Sequence, residues 1–172
     1  TTRNATGPSV SDPRTGEIIE SDIIWYHNHL RSYRNRYLLE TGAANPSART
    51  LNTKPEEIGE MMRMVIAHEV GHALGLPHNM AASFAYPVDS LRSGKFTQKY
   101  GIAATIMDYA RYNYIAQPGD ENIRFIGGVP SNPANFVREL TFLELDGVNR
   151  AGAKRARPRR RIVSCVRYSR IW

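Results

Sequence analysis

Three histidines and a glutamate lie close together in the sequence and could bind a metal ion and activate water. The segment from His68 to His78 reads His-Glu-Val-Gly-His-Ala-Leu-Gly-Leu-Pro-His. His68 and His72 are four residues apart, so on a helix they lie on one face and can bind the same zinc ion. His78 could supply the third ligand and leave the fourth position open for water, as in catalytic zinc sites. We therefore predict Zn2+ as the cofactor, bound by His68, His72 and His78.

Glu69 is the candidate for the catalytic carboxylate. It follows His68 directly, so on a helix it lies beside the metal without pointing at it. In this position it could hold a zinc-bound water and accept its proton as a general base. The spacing thus predicts a metal-assisted hydrolysis in which Glu69 activates the water.

A long helix must position these residues. Thr53-Lys54-Pro55-Glu56 reads as a capping box that begins the helix. Met61, Val65, His68 and His72 form one stripe along it, which predicts that the metal lies at the end of a buried row. Gly75 and Pro77 are expected to end the helix and let the chain return to place His78. Gly71, within the helix, predicts close packing against a neighbouring element, and a tolerated weak point of the helix is the alternative.

The sequence patterns that predict the other secondary-structure elements are weaker. Residues 7–11 and 17–24 predict two strands around an Asp-Pro-Arg-Thr-Gly turn. Residues 25–40 predict a helix, residues 43–52 a polar loop, and residues 79–104 a long segment around the site. His27 and His29 are two residues apart, so on a helix they point in different directions and are not expected to bind metal.

Two motifs together resemble the metzincin clan of zinc peptidases. One is the segment from His68 to His78, and the other is Thr105-Ile106-Met107-Asp108-Tyr109. The resemblance implies that Met107 lies in a tight turn beneath the zinc and is not a ligand. It also implies that Tyr109 approaches the metal and helps to stabilise the tetrahedral intermediate, as in the astacin-like and serralysin-like branches. A packed tyrosine with a hydrogen-bonded hydroxyl is the alternative for Tyr109.

More narrowly, the run from Gly7 to about Asp120 resembles the catalytic segment of large bacterial zinc-dependent metalloproteases with a Met-zincin domain. The resemblance implies an α+β fold of metzincin-like zincin type, truncated at the N-terminus to a hairpin remnant of the sheet, an active-site helix and a Met-turn. It also implies that residues near Pro8–Ser11 form an edge strand that receives an extended peptide. A hairpin without a substrate role is the alternative.

Composition divides the chain into two parts. Nine of the 23 lysines and arginines lie from Arg150 onward, whereas none of the 16 acidic residues lies beyond Asp146, so residues 1–149 carry 14 basic and 16 acidic groups. We predict a catalytic segment over residues 1–127 and a separate C-terminal segment over residues 128–172. The arginine-rich tail is a foreign segment, an out-of-frame sequence or a disordered arm. The single cysteine, Cys165, excludes an internal disulfide framework.

The resulting hypothesis is a zinc metalloendopeptidase that acts on protein or peptide substrates. The alternative is a zinc-binding but catalytically inactive fragment of such a protease. Binding of nucleic acid through the tail is not expected, because no aromatic residue interleaves with residues 150–161 and no nucleic-acid fold motif is present. No run of 18 apolar residues is present, so no membrane span is predicted. The family resemblance implies an extracellular or periplasmic location, and the sequence predicts no oligomeric state.

Overall fold

The computed structural model describes residues 4–127 of the chain. The predicted C-terminal segment, with Cys165 and the arginine-rich tail, lies outside the described residues. The division into residues 1–127 and 128–172 therefore stays a prediction.

The N-terminal part is an antiparallel hairpin, as the sequence predicts. Its strands are β1 (Ala5–Thr6), β2 (Ser9–Ser11), β3 (Ile18–Ser21) and β4 (Ile24–Trp25). β2 pairs with β3 and β1 pairs with β4, so the two pairs follow one another along the same hairpin. Its turn is closed by the Gly16 N–H, which donates to the Asp12 carbonyl oxygen at 2.8 Å. Gly16 has a φ of 73°, a conformation that glycine adopts without steric cost.

Helices make up most of the rest of the described chain. They are α1 (His29–Thr41), α2 (Pro55–Ala73), α3 (Val88–Leu91) and α4 (Gly94–Tyr100). Short 3-10 helices occur at Pro46–Arg49 and Met80–Phe84. The sequence predicted only a polar loop and a long wrapping segment in these two regions. The fold is mixed α+β, with two two-stranded sheets. No helix in the described part of the chain is both long and apolar enough to cross a membrane.

The start of α2 differs from the predicted capping box. Lys54, and not Thr53, is the N-cap, and no side chain caps the helix there. The physical reason is Pro55, which disfavours helical backbone angles at the residue before it. Lys54 accordingly has an extended ψ of 143°, and the helix begins at Pro55. Glu56 and Glu57 occupy the first turn, where negative charge interacts favourably with the helix dipole.

The core lies between α1 and α2. Tyr37 of α1 and Met61 of α2 are buried in one cluster with Tyr112. The Tyr37 hydroxyl donates to the Glu57 carboxylate at 3.0 Å, so a polar contact also joins the two helices. Of the predicted stripe on α2, Met61, Val65 and His68 are buried, at 0%, 5% and 8% exposure, whereas His72 is half-buried. The core therefore fixes the face of α2 that carries the first histidine.

Helix α2 ends at its C-terminus in the way that Gly75 predicts. Gly75 has a φ of 86°. The Leu76 N–H donates to the Gly71 carbonyl at 3.0 Å and the Gly75 N–H to the His72 carbonyl at 2.8 Å. These two bonds form a Schellman motif, which satisfies carbonyls at the helix end and turns the chain back. The turn brings the following residues towards the face that bears His72.

Gly71 packs directly against the turn around Met107. A Cβ added to Gly71 would overlap the Met107 sulfur and would lie 3.3 Å from Cδ1 of Ile106. Met107 is itself fully buried. The close packing predicted at Gly71 is therefore confirmed, and the neighbouring element is the 105–109 turn.

We expect Gly71→Ala to destabilise the protein although alanine favours helices. The added methyl overpacks the contact with Met107, at a cost of about 1–3 kcal/mol in the free energy of unfolding. Gly59→Ala is the matched control on the same helix, because nothing lies within 4 Å of its added Cβ. The free energy of unfolding of Gly59→Ala should rise by about 0.5–1 kcal/mol. Urea unfolding with excess chelator measures both, and equal stability of the two variants would contradict the packing described here.

Candidate metal centre

Three histidine side chains converge at the end of α2. The His78 Nε2 lies 3.1 Å from the His72 Nε2 and 3.2 Å from the His68 Nε2. All three ligand atoms lie within 4.8 Å of one another. For a tetrahedral zinc with Zn–N bonds of about 2.0–2.1 Å, the nitrogens would be about 3.3 Å apart. The two Nε2–Nε2 distances that involve His78 thus fit one shared zinc ion.

Backbone carbonyls set the tautomers of the two helical histidines. The His68 Nδ1 lies 2.7 Å from the Ile106 carbonyl oxygen, and the His72 Nδ1 lies 2.9 Å from that of Leu76. A carbonyl oxygen only accepts, so each Nδ1 must carry the hydrogen. In the neutral rings, both Nε2 atoms then present lone pairs towards His78. Because lone pairs repel one another, a cation between them makes the arrangement favourable, and the donor set fits zinc.

The electrostatics of His68 also favour the metal-binding form. Burial lowers the pKa of His68, and its contact with the Ile106 carbonyl partly opposes this shift. The neighbouring His72 and His78 lower the pKa of His68 further. A lowered pKa keeps the imidazole neutral, which is the form that binds metals.

Glu69 is buried on α2 beside these histidines, with 7% of its surface exposed. Burial raises the pKa of its carboxyl group, while His72 and a hydrogen bond from the Gly7 backbone lower it. The carboxylate thus lies between the helix and the N-terminal hairpin. No residue type in the sequence indicates this contact, because it is made by a backbone N–H.

The turn from Thr105 to Tyr109 packs against α2 and holds the histidines in place. The Ile106 carbonyl accepts from His68, as described above. The Met107 carbonyl accepts from the Asn79 N–H at 3.0 Å, which fixes the chain just after His78. The Met107 N–H donates to the Thr105 hydroxyl at 3.1 Å. The turn therefore joins the helix, the buried methionine and the segment that carries the third histidine.

Tyr109 lies on the solvent side of the cluster. Its hydroxyl is 2.9 Å from the His78 Nε2, and about half of the residue is exposed. Its ring packs against the imidazoles of His68 and His78, with centroid distances of 5.3 Å and 4.7 Å. The tyrosine hydroxyl is therefore within hydrogen-bonding distance of a candidate ligand atom.

A cavity of about 260 Å³ opens beside Tyr109. Residues of the segment 108–115 form much of its wall, and Arg36 and Glu40 of α1 contribute charged groups. Asn113 also lines it, and its Oδ1 is a buried acceptor with no partner. The cavity is large enough to hold a side chain of a bound molecule next to Tyr109.

The other histidine pair does not join the site. His27 is exposed. His29 packs edge-on against Trp25 and Tyr33, at centroid distances of 5.4 Å and 4.7 Å. Among residues 4–127, only His68, His72 and His78 form a group of three or more side chains suited to hold a metal.

We expect wild-type protein to bind one zinc ion per chain and His78→Ala to weaken the binding by more than about 100-fold. Changes outside the ligand shell already cost about 10–100-fold in metal affinity, and loss of a ligand costs more. His27→Ala removes an exposed histidine outside the cluster and should leave the affinity unchanged. Competition with a fluorescent chelator measures all three proteins. Equal affinity of wild type and His78→Ala would exclude His78 as a ligand.

Comparison with known proteins agrees with this geometry. Residues 50–129 match the family model described as Met-zincin. The match runs from just before α2 to the end of the described residues and includes the three histidines and the turn at Met107. No curated protein and no solved structure gives a significant match. The resemblance drawn from the motifs is thus confirmed. Through residues 50–129, the chain is thus similar to the Met-zincin family.

Proposed function

We propose that the chain is the catalytic segment of a zinc-dependent endopeptidase with a zincin-type fold. The observation that carries the proposal is the convergence of three imidazole Nε2 atoms beside a buried carboxylate. His68, His72 and His78 would hold the metal. When bound, zinc supplies Lewis-acid chemistry, which polarises a carbonyl group and lowers the pKa of a water molecule to about 7.

Glu69 acts as the general base and then as the general acid. Its carboxylate accepts a proton from the attacking water and transfers it to the nitrogen of the departing amine. Two features support this role. The carboxylate is on the helix that carries two of the candidate ligands, and its pKa is raised by burial, which strengthens a carboxylate as a base.

Tyr109 stabilises the oxygen of the tetrahedral carbon. Its hydroxyl donates a hydrogen bond to the negative charge that develops there. The position of the hydroxyl, 2.9 Å from the His78 Nε2, supports this role. Because Tyr109 is half exposed, a substrate can reach it without movement of the core.

The substrate is a protein or peptide bound in extended form along β2. Ser9, Val10 and Ser11 are all exposed, and β3 is the only strand that pairs with β2 in the described part of the chain. A peptide can therefore pair with the free edge through main-chain hydrogen bonds. The cavity beside Tyr109 would take one substrate side chain. The family resemblance further suggests an extracellular or periplasmic protease.

A zinc-binding segment without activity is the second candidate. The observation that favours it is the small size of the sheets within residues 4–127, where the four strands are each only two to four residues long. Such a short edge offers few hydrogen bonds to a substrate. This candidate predicts bound zinc without cleavage of a peptide.

We expect wild-type protein loaded with zinc to cleave casein and Glu69→Gln to lose about 10²–10⁴-fold in kcat, the usual contribution of a general base. Zinc content should stay the same, because Glu69 is not a proposed ligand. Chelator should abolish the wild-type activity, and added zinc should restore it. Wild-type protein that holds zinc but does not cleave would favour the second candidate, whereas full activity in Glu69→Gln would exclude the proposed base.

Tyr109→Phe tests the hydroxyl separately from the ring. The variant keeps the packing against His68 and His78, so zinc affinity and KM should change little. We expect kcat to fall by about 10²-fold, as for one donor to a developing oxyanion. Steady-state kinetics on a fluorogenic peptide gives both constants. Tyr100→Phe is a matched control at another exposed tyrosine that does not line the cavity, and its kcat should equal that of wild type.

A further inference from the structure

Gly7 is the point at which the hairpin touches the buried glutamate. A Cβ added to Gly7 would lie 2.7 Å from the backbone oxygen of Glu69, 3.4 Å from its Oε2 and 3.4 Å from Cβ of His72. The first distance is too short for any side chain, and a backbone oxygen cannot rotate away. The hairpin therefore approaches α2 closely only because residue 7 has no side chain.

The Gly7 N–H also faces the Glu69 carboxylate within reach of a hydrogen bond, and this backbone contact lowers the pKa of the carboxyl group. A carboxylate has two oxygens that accept, so a bond to one leaves the other able to accept a proton. A bond from the backbone is also better fixed in space than one from a flexible side chain. Gly7 thus restrains the rotamer of Glu69 without occupying both of its oxygens.

The backbone on both sides of Gly7 is itself anchored. Thr6 pairs with Ile24 in the β1–β4 sheet. The Pro8 carbonyl accepts from the Ser21 hydroxyl at 2.9 Å and from the Asp22 N–H at 3.1 Å. The position of the Gly7 N–H is therefore set by pairing within the hairpin.

We propose that Gly7 is a positioning residue, which orients the Glu69 carboxylate and sets the distance between the metal centre and the free edge of β2. The proposal rests on the proposed function for its catalytic consequence. A larger residue at position 7 would move the hairpin off α2, and both the carboxylate and the edge that receives the substrate would lose their fixed placement. The same glycine thus sets the positions of both the substrate-binding edge of β2 and the Glu69 carboxylate.

The first test is Gly7→Ala in the full chain, compared with Gly59→Ala, which makes the same change where nothing lies within 4 Å. We expect kcat of Gly7→Ala to fall about 10- to 100-fold, since a displacement of about 1 Å can cost 10²-fold. Zinc affinity should not change. In the Glu69→Gln background, Gly7→Ala should lower kcat by a much smaller factor, because both substitutions act on the Glu69 carboxylate. A wild-type kcat in Gly7→Ala, or full additivity with Glu69→Gln, would overturn the proposal.

The second test does not depend on activity. In amide hydrogen exchange followed by NMR, the Gly7 N–H should be protected in wild type and should lose its protection in Glu69→Ala. The Gly16 N–H, which donates to Asp12, should stay protected in both proteins and serves as the internal control. A Gly7 amide that exchanges freely in wild type would overturn the proposal, even if Gly7→Ala failed to fold. If wild-type protein binds zinc but does not cleave casein, the proposed function is refuted. Protection of the Gly7 amide in that protein would still support the contact between Gly7 and Glu69.

Discussion

The close approach of α2 to the 105–109 turn is the contact on which the candidate metal centre depends. Gly71 allows it, because any side chain there would overlap the Met107 sulfur. The same approach brings the Ile106 carbonyl within 2.7 Å of the His68 Nδ1 and thereby sets the tautomer of that ring. Without this contact, His68 would have no fixed orientation, and the Nε2 atoms would not present their lone pairs to one point. One missing methyl group thus determines the geometry of a ligand set.

The third histidine depends on the way the helix ends. The Schellman motif at Gly75 reverses the chain, and the bond from the Asn79 N–H to the Met107 carbonyl ties the returning segment to the same turn. The Leu76 carbonyl, placed by that reversal, accepts from His72. Both ends of the His68–His78 motif are therefore held by backbone groups.

Much of this arrangement could be predicted from residue types and spacing. The four-residue spacing of His68 and His72, the helix end at Gly75 and the hairpin turn at Gly16 each follow from local backbone geometry. The start of α2 was predicted wrongly, because the effect of Pro55 on Lys54 outweighs the capping tendency of Thr53. The contacts of Ile106, Leu76 and Gly7 could not be predicted, since they involve backbone groups brought together by tertiary packing. Likewise, no periodicity in residues 79–104 indicated α3 and α4, which are only four and seven residues long.

The hairpin and the turn contact α2 near the same residues, and this explains how so small a fold can build a site. The turn fixes the imidazoles through Ile106 and Met107, and the hairpin fixes the carboxylate through Gly7. Neither element needs a large sheet for this, because each acts through one or two backbone groups. The two candidate ligands on α2, His68 and His72, and the proposed base on the same helix are thereby positioned by different elements.

X-ray absorption spectroscopy of the zinc-loaded protein tests the ligand set most directly. We predict a zinc ion with three imidazole nitrogens at about 2.0–2.1 Å, one further oxygen and no sulfur. A zinc–sulfur distance of about 2.3 Å, which would require Cys165, or fewer than three imidazoles around the ion, would contradict the central claim.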